Sequence, residues 1–317
     1  MSVSIPTLHN INCWAVVTLG LTLNGLLIWL VKNRSTKEMN AYRRILLQTC
    51  FVDIFMIVII GIVQPIYIVH NGYNTMISNG ISSNFGHSLE FVFMMCWFFG
   101  LYFSILSNYV PVAYCYFQIC WLKQMSMKVY NSLLSMCALL VLVFIAGFFW
   151  AAYPGESEMA MMTQAHDSYA KYMALDTSDE DFSIALVSKT DSGRWLLSCL
   201  YIIAVQSVCY TIISYCGLKL KEAMSRSTES GKETATGEVN RQLSCVLFWQ
   251  FIMSLTEAGF TMVCMVTSLL PNKNVYSIAF GTMPLHWIPV LNPLITILVV
   301  EQYRDFFSAS ETEKKIH

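Results

Sequence analysis

The clearest shortage in this 317-residue sequence is of charge, because only 12% of its residues are Asp, Glu, Lys or Arg. A typical soluble protein has about 25% charged residues. The net charge is −1, so the chain also lacks the basic excess that marks nucleic-acid-binding proteins. With 56% hydrophobic residues, the composition indicates a polytopic membrane protein.

The sequence also lacks the residue patterns of enzymes and metalloproteins. Its six histidines are scattered, and none has partners at the spacing of a metal site. It has no glycine-rich phosphate loop and no serine nucleophile elbow. The 11 cysteines lie almost entirely in apolar runs, where thiols pack as small hydrophobic groups. We therefore predict no enzymatic activity, no cofactor and no metal.

Seven runs are long and apolar enough to span a bilayer, which takes about 20 helical residues each. The first ten residues contain no Lys or Arg, so the first run is expected to be a retained signal-anchor helix rather than a cleaved signal peptide. The runs, numbered segments 1 to 7, cover residues 11–31, 45–69, 86–118, 130–152, 195–218, 243–270 and 276–300.

A short amphipathic helix is predicted directly after segment 7, over residues 301–309. Tyr303, Phe306 and Phe307 share one face of it, which is typical of a helix that lies on the membrane surface. The predicted fold class is therefore all-α, with residues 1–317 forming a single seven-transmembrane helix bundle domain. The segments show no internal repeat and their number is odd, which weakens a transporter built from repeats.

Lysine and arginine are divided unequally between the loops, and basic loops stay on the cytoplasmic side of a membrane. Loops 70–85, 153–194 and 271–275 hold four in total, and residues 1–10 on the same side hold none. The opposite side holds fifteen. We predict that the amino terminus is outside and the carboxyl terminus is cytoplasmic. Loop 153–194 carries eight acids against three bases and is interpreted as solvated, or alternatively as attracting cations.

Polar side chains on three segments fall at one predicted depth in the cytoplasmic half of the membrane. Asp53, Asn292 and Asn24 lie roughly 10–12 Å from the inner ends of their segments. A carboxylate and two amides at one level can hydrogen-bond to each other. Pro293 cannot donate to the carbonyl of Pro289, so segment 7 has a weak point here that we interpret as a hinge. The alternative is three polar groups that pack independently.

A second set of candidate residues lies nearer the outer side. Glu257 and His286 lie roughly 20 Å and 15 Å from the outer ends of segments 6 and 7, and buried acids usually face a bundle interior or cavity. If they face each other, they form a charged or hydrogen-bonded pair beside a small-molecule pocket. The alternative for the nearby aromatic residues is packing or lipid contact. The remaining ligand-binding candidates are Glu90, Trp97, Tyr102 and Trp287.

Short motifs over nearly the whole chain resemble those of G-protein-coupled receptors. Asn24, Asp53 and Asn292-Pro293 on seven segments, with a tail helix along the membrane, are similar to that superfamily. Finer motifs resemble the nematode serpentine chemoreceptors, most like the delta class or a close relative. These motifs are residues 41–47 (AYRRILL), Val63-Gln64-Pro65, Arg241-Gln242-Leu243 with Gln250, and residues 291–296 (LNPLIT) followed by Gln302-Tyr303-Arg304.

This resemblance implies a role in chemical sensing, such as olfaction, at the plasma membrane of a sensory cell. The implied partners are the lipid bilayer, a small-molecule odorant or other chemical cue outside, and a heterotrimeric G protein in the cytoplasm. No nucleic acid is expected. The candidates for coupling to the G protein are Tyr114, Tyr116, Tyr303 and Arg304.

The chain departs from the receptor pattern at two places. The Tyr-Arg-Tyr triplet that this family has at the inner end of segment 3 reads Tyr114-Cys115-Tyr116 here, without the arginine that would reach across the cytoplasmic mouth. The outer loops 70–85 and 153–194 contain no cysteine, so the outer disulfide common in rhodopsin-like receptors cannot form.

Two further classes of function compete with a receptor. A transporter or ligand-gated channel would use Glu257 as an ion or proton site, because a mid-membrane acid is costly without a function. A membrane-embedded enzyme would need a metal cluster or an activated nucleophile, and the sequence offers neither.

Overall fold

The computed structural model describes residues 5–35, 39–70, 73–120, 126–152, 183–189, 192–229, 235–268 and 283–306. Residues 81–85 and Met283–Trp287 form 3-10 turns, and residues 301–306 form a short tail helix. The α-helices are α1 Ile5–Asn33, α2 Asn40–Val63, α3 His87–Ser107, α4 Tyr109–Cys120, α5 Met127–Ala152, α6 Gly193–Glu229, α7 Ala235–Ser268 and α8 Ile288–Val299.

Six helical stretches in the described residues are long and apolar enough to cross a membrane, and a shorter apolar stretch, Met283–Val299, makes the seventh. Segment 3 comprises α3 and α4, which a turn at Asn108 separates within one apolar span. Many apolar side chains point away from the bundle, such as Leu139, Leu142 and Val143 on α5, which are half or more exposed. Apolar side chains that face lipid do not need to be buried by protein, because lipid tails are equally apolar.

The helices pack in a closed ring in chain order. α1 contacts α2, α2 contacts α3, and the third and fourth segments meet through α3 and α5. The ring continues through α6, α7 and α8, and α8 returns to α1. α4 packs against both α6 and α7, which places the second half of segment 3 inside the ring. The predicted seven-helix bundle is confirmed.

A three-stranded antiparallel sheet covers the end of the bundle at which α1 begins. β1 (Pro65–His70) pairs with β2 (Tyr73–Ser78), which pairs with β3 (Ser183–Lys189). β3 also packs on α3 and α5. We call the end of the bundle that the sheet covers the strand end. The opposite end, which carries the tail helix, is the tail end.

The sheet corrects two sequence-based boundaries. Segment 2 was expected to remain helical to residue 69, but α2 ends at Val63 because Gln64 adopts the left-handed conformation (φ 46°) and Pro65 follows. A residue before proline is disfavoured in the α region. Within the loop 153–194, which was interpreted as solvated, residues 183–189 form β3 and are almost entirely buried. The eight acids of the loop lie outside the described residues, so for them the interpretation stays a prediction. Isolated apolar runs of six or seven residues do not distinguish a buried strand from a helix extension.

The tail-end boundaries also differ from the expected ones. α6 runs to Glu229 and α7 begins at Ala235, so the loop expected over 219–241 is mostly helical. Hydropathy marks only the part of a helix inside the bilayer, and intrahelical hydrogen bonds continue beyond it. At the strand end, the described part of segment 7 starts with the 3-10 turn Met283–Trp287 before α8, and residues 276–282 of the expected helix lie outside the described residues.

Candidate functional site

Asp53 on α2 and Asn292 on α8 meet inside the bundle, each only 1% exposed. The Asn292 side-chain amide donates to both carboxylate oxygens of Asp53, at 3.1 Å to Oδ1 and 3.3 Å to Oδ2. Burial of a carboxylate is costly without hydrogen bonds. The contact therefore ties α2 to α8 across the interior.

Asn24 on α1 hydrogen-bonds to backbone carbonyls rather than to the side chain of Asp53 or Asn292. Its Nδ2 donates to the carbonyl of Pro289 at 2.9 Å and to that of Gly20 at 3.0 Å. In a regular helix the carbonyl of Pro289 would accept from the amide of residue 293, which is a proline and has no N–H. Asn24 thus supplies, from a neighbouring helix, the donor that Pro293 lacks.

A close approach of α1 to its neighbours makes this bond possible. A Cβ atom on Gly20 would lie 2.6 Å from Ile57 Cδ1 and 3.4 Å from Val290 Cγ2, so glycine permits the contact of α1 with α2 and α8. Asn24 follows one turn later on the same face of α1. We call Asn24, Asp53, Asn292, Pro293 and the Pro289 carbonyl the hinge network.

The tail helix docks against the end of α1. Val300 adopts an extended conformation (φ −78°, ψ 110°) that ends α8. Tyr303 is fully buried, and its hydroxyl lies 2.9 Å from Ser35 Oγ, with either oxygen able to donate. Burial raises the pKa of Tyr303, which keeps the phenol neutral and able to donate. Tyr303 therefore anchors the tail helix rather than facing a partner in this conformation.

The predicted apolar face of the tail helix turns toward the bundle. Phe306 packs edge-on against Trp29, with ring centroids 5.2 Å apart, and the Arg34 guanidinium lies 5.4 Å from the Phe306 ring centroid. Phe307, the third member of this face, lies outside the described residues. Arg304 is 54% exposed and forms a long ion pair with Glu301, at 3.8 Å.

The other coupling candidates lie at the tail end of α4. Tyr114 is buried and its ring packs edge-on against Tyr42 and Tyr130. Tyr116 is partly buried and packs against Tyr215 of α6. Cys115, at the position of the family arginine, is fully buried. Of the four candidates, only Arg304 is exposed in this conformation.

A cavity of about 50 Å³ lies between the sheet and the bundle. Trp97 and Tyr102, two of the predicted ligand-site residues, line it from α3. The Trp97 indole N–H is buried and has no hydrogen-bond partner among the residues that the structure describes. The cavity is smaller than the ~150 Å³ site that accepts benzene in an engineered protein, so it suits a ligand of few atoms. The other walls include Tyr67, Met76, Trp195, Thr261 and Leu285.

Glu90 lies in the first turn of α3 and contacts the sheet. Ser183 Oγ of β3 donates to Glu90 Oε2 at 2.8 Å, and the buried Glu90 Oε1 has no partner within the described ranges. A carboxylate is stabilised near a helix amino terminus by the helix dipole. Glu90 thus connects β3 to α3 through this hydrogen bond. It is not among the residues that line the cavity.

Glu257 and His286 face different parts of the bundle and share no hydrogen bond or ion pair, although both are buried. His286 Nδ1 lies 3.7 Å from Cys13 Sγ on α1, and its ring packs edge-on against His9 and Trp97. Glu257 instead lines a crevice of about 340 Å³ between α7 and the 283–291 region.

Trp287 lines the same crevice as Glu257, not the cavity under the sheet. Its indole N–H donates to Asn12 Oδ1 of α1 at 2.9 Å. The structure therefore divides the six predicted ligand-site residues among several places. Trp97 and Tyr102 line the cavity, Glu257 and Trp287 line the crevice, Glu90 meets the sheet, and His286 packs against α1 and α3.

Sequence reasoning missed a second buried polar contact, between Asn108 at the α3–α4 turn and Ser254 on α7. Asn108 Nδ2 donates to Ser254 Oγ at 2.7 Å, and the Tyr210 hydroxyl of α6 donates to the Ser254 carbonyl at 2.8 Å. The sequence did contain a pattern that could have predicted this contact. Polar residues recur along α7 at intervals of four, three and four residues, which places them on one helix face. These residues, all buried, are Gln250, Ser254, Glu257 and Thr261.

The arrangement of the helices is similar to that of a receptor of known structure, squid rhodopsin. The crystal structure of squid rhodopsin superposes with a TM-score of 0.61 over 95% of this chain and 79% of that chain, at 12% sequence identity. At this identity the likeness concerns the fold alone. A comparison with curated protein sequences finds no match.

A family model identifies the family of proteins to which this chain belongs. The family model described as serpentine type seven-transmembrane G-protein-coupled chemoreceptor Srd matches residues 9–309. The chain therefore belongs to the Srd family of serpentine chemoreceptors, and the resemblance drawn from its motifs is confirmed.

Proposed function

We propose that this receptor binds a small chemical cue in the cavity under the sheet and signals at its tail end to a heterotrimeric G protein. The observation that carries this proposal is the hinge network. It joins α1, α2 and α8 through buried bonds at a helix position where a proline removes a backbone donor.

Contiguous contacts lead from the cavity to the tail end. Trp97, in the cavity wall, packs on His286 in the 3-10 turn that precedes α8. A ligand that displaces Trp97 changes the position of this turn, and hence of Pro289 and Asn292 in the next helical turns. Packed elements with two discrete arrangements transmit such shifts.

The final contacts lie at the end of α8. Glu301 N–H donates to Gln242 Oε1 at 3.3 Å, and Gln242 Nε2 donates to Glu301 Oε2 at 3.2 Å. These two bonds join the tail helix to α7, while Tyr303 joins it to Ser35 after α1. Movement of α8 therefore alters the tail-end surface where Arg304 is exposed, and this surface is the proposed contact with the G protein.

The cavity favours a small, mostly apolar ligand that carries a hydrogen-bond acceptor. Its walls are largely aromatic and aliphatic, and the unpartnered Trp97 N–H is a donor that such a ligand would satisfy. A buried donor left unpaired costs free energy. The experiment that tests the proposal measures calcium or cAMP in cells that express the chain, during exposure to a panel of volatile and water-soluble odorants.

Filling the cavity is expected to weaken the response to an active odorant. Leu101 is buried and lines the cavity, and Leu101→Phe adds side-chain volume where the ligand would bind. We expect the half-maximal odorant concentration to rise about tenfold or more, because overpacking costs about 1–3 kcal/mol. Leu101→Met, which conserves volume, should change it less than threefold. An unchanged response in a Leu101→Phe receptor at normal surface level would contradict this location of the site.

The proposed orientation places the strand end outside the cell and the tail end in the cytoplasm of a sensory cell, with the chain in the plasma membrane. Four basic residues on one side against fifteen on the other support it. An epitope tag at the amino terminus should bind antibody on intact cells, and a tag at the carboxyl terminus only after permeabilisation. The reverse pattern would overturn the orientation and with it the assignment of the two ends.

The position of Glu257 bears on the alternative function of a transporter or channel. Its crevice lies between two neighbouring helices of the ring, whereas a conduction path would follow the bundle axis. A flux assay in proteoliposomes separates the two functions. Transport that needs no ligand and is lost in Glu257→Gln would rule out the receptor proposal.

A further inference from the structure

The crevice between α7 and the 283–291 region is a second site with its own chemistry. It has a volume of about 340 Å³, within the range of about 300–1,000 Å³ for small-molecule pockets. Leu285 lines both this crevice and the cavity under the sheet, so it forms a wall between them. The two sites are therefore neighbours but not one pocket.

The crevice opens on the outer surface of the helix ring. Two of its lining residues, Thr256 and Pro284, are exposed. Leu255 and Val263 on the same helix are also exposed, at 44% and 59%. All four lie within the apolar stretches Ser244–Val263 and Met283–Val299. In a bilayer this surface faces lipid, so a ligand reaches the crevice from the membrane rather than through the sheet.

The ionisable group in the crevice is the Glu257 carboxyl group, which has no counterion among the described residues. Glu257 is 2% exposed, and its Oε2 is buried with no hydrogen-bond partner in the part of the chain that the structure describes. It is the only Asp, Glu, Lys or Arg in the apolar stretches Ser244–Val263 and Met283–Val299. A buried carboxylate needs a cation or hydrogen-bond donors, and the described part of the chain gives Glu257 neither.

The rest of the lining fits the body of an organic cation. Phe260 and Trp287 border the crevice together with Met253 and Leu291. Aromatic rings attract ammonium groups through their faces, and methionine adapts to ligands of varied shape. A carboxyl group beside two aromatic side chains and aliphatic walls is complementary to an amine that carries an apolar tail.

We propose that the crevice binds a lipophilic amine from the bilayer, with its ammonium group donating a charge-assisted hydrogen bond to Glu257 and its tail against Phe260 and Leu291. This site differs from the cavity in ligand chemistry and in route of access. It does not depend on signalling, because binding can be measured on the purified chain.

The test uses the full-length chain in lipid nanodiscs. Two photoreactive probes are compared that share the same carbon skeleton and differ only in their head group. One is an alkylamine with a diazirine in its tail, and the other is the corresponding alcohol. After irradiation, mass spectrometry should place the amine label on peptides that contain residues 253–260 and 283–291. The alcohol should label these peptides about tenfold less at the same concentration, because it lacks the charged bond.

Variants of Glu257 separate this proposal from nonspecific partition into lipid. Glu257→Gln should reduce amine labelling about tenfold or more and leave alcohol labelling unchanged, while Glu257→Asp should retain part of the amine labelling. Glu90→Gln is the matched control, because Glu90 is also a buried acid with one unpartnered oxygen but lies at the sheet. It should leave both labels unchanged.

The outcomes are distinct. Amine labelling that survives Glu257→Gln would overturn the proposal, as would equal labelling by the two probes in the unmodified chain. Stronger labelling by the alcohol would also overturn it and would indicate a neutral ligand that accepts a hydrogen bond from a protonated Glu257. A receptor that gives no calcium or cAMP response to odorants could still show these labelling results. The signalling proposal and the amine-binding proposal can therefore be refuted independently.

Discussion

An Asp53→Ala receptor is expected to lose about 90% or more of its ligand-evoked calcium response, while its affinity for ligand changes less than threefold. The substitution leaves the buried Asn292 amide without the acceptor that it contacts at 3.1 Å and 3.3 Å. Hydrogen bonds to charged groups contribute about 1.5–3 kcal/mol. A change of this size in the balance between two helix arrangements shifts their populations by more than tenfold.

Ligand affinity should change little because Asp53 does not line the cavity under the sheet. The measurements are a dose–response curve for calcium and a binding curve for the same odorant, both corrected for surface level. Asp53→Asn, which keeps the volume and one carbonyl acceptor for Asn292, should give an intermediate response. Glu90→Gln is the control for removal of a buried carboxylate outside the network and should leave the ratio of response to binding unchanged.

An equal loss of binding and response in Asp53→Ala would show that the network supports the fold as a whole and does not transmit the signal. A normal response would show that the α2–α8 contact is dispensable. Either result would remove the hinge network from the proposed mechanism.

Removal of the Asn24 amide is expected to destabilise the receptor by about 1–3 kcal/mol, the cost of a buried carbonyl left without a donor. The physical reason is specific to Pro289, whose carbonyl accepts from Asn24 at 2.9 Å because residue 293 has no N–H. In a Pro293→Ala background that N–H is restored, so Asn24→Ala should cost at least 1 kcal/mol less than in the unmodified chain. Such non-additivity is the signature of two residues that share one partner.

The measurement is the midpoint of thermal unfolding of the four purified proteins that make up this double-mutant cycle. Asn33→Ala is a matched control, because Asn33 is on the same helix and also donates to the carbonyl four residues earlier, that of Trp29, but on an exposed surface. It should cost less than about 0.5 kcal/mol in both backgrounds. Strictly additive effects of Asn24→Ala and Pro293→Ala would exclude the proposed role of Asn24.

The levels of the polar side chains along the helices were predictable, but their partners were not. Helical rise places Asn24, Asp53 and Asn292 at one depth, and the structure joins Asp53 to Asn292 and Asn24 to the backbone of the same helix as Asn292. The rotation of each helix about its axis decided that Asp53 meets Asn292 while Asn24 meets a backbone carbonyl 265 positions away. The orientations of the 3-10 turn before α8 and of α7 likewise decided that His286 faces α1 and that Glu257 faces the crevice.

The sequence by itself determined the class of protein. Lipid supplies no hydrogen bonds, so each long apolar run must form a helix, and seven such runs with their motifs predict the serpentine receptor fold. The pairing of β1 and β2 with β3 was decided only by the tertiary structure, because β3 lies more than 100 residues further along the chain and a short apolar run has no local signal for a distant strand. The docking of Tyr303 on Ser35 and the separation of cavity from crevice likewise depend on how complete helices pack against one another.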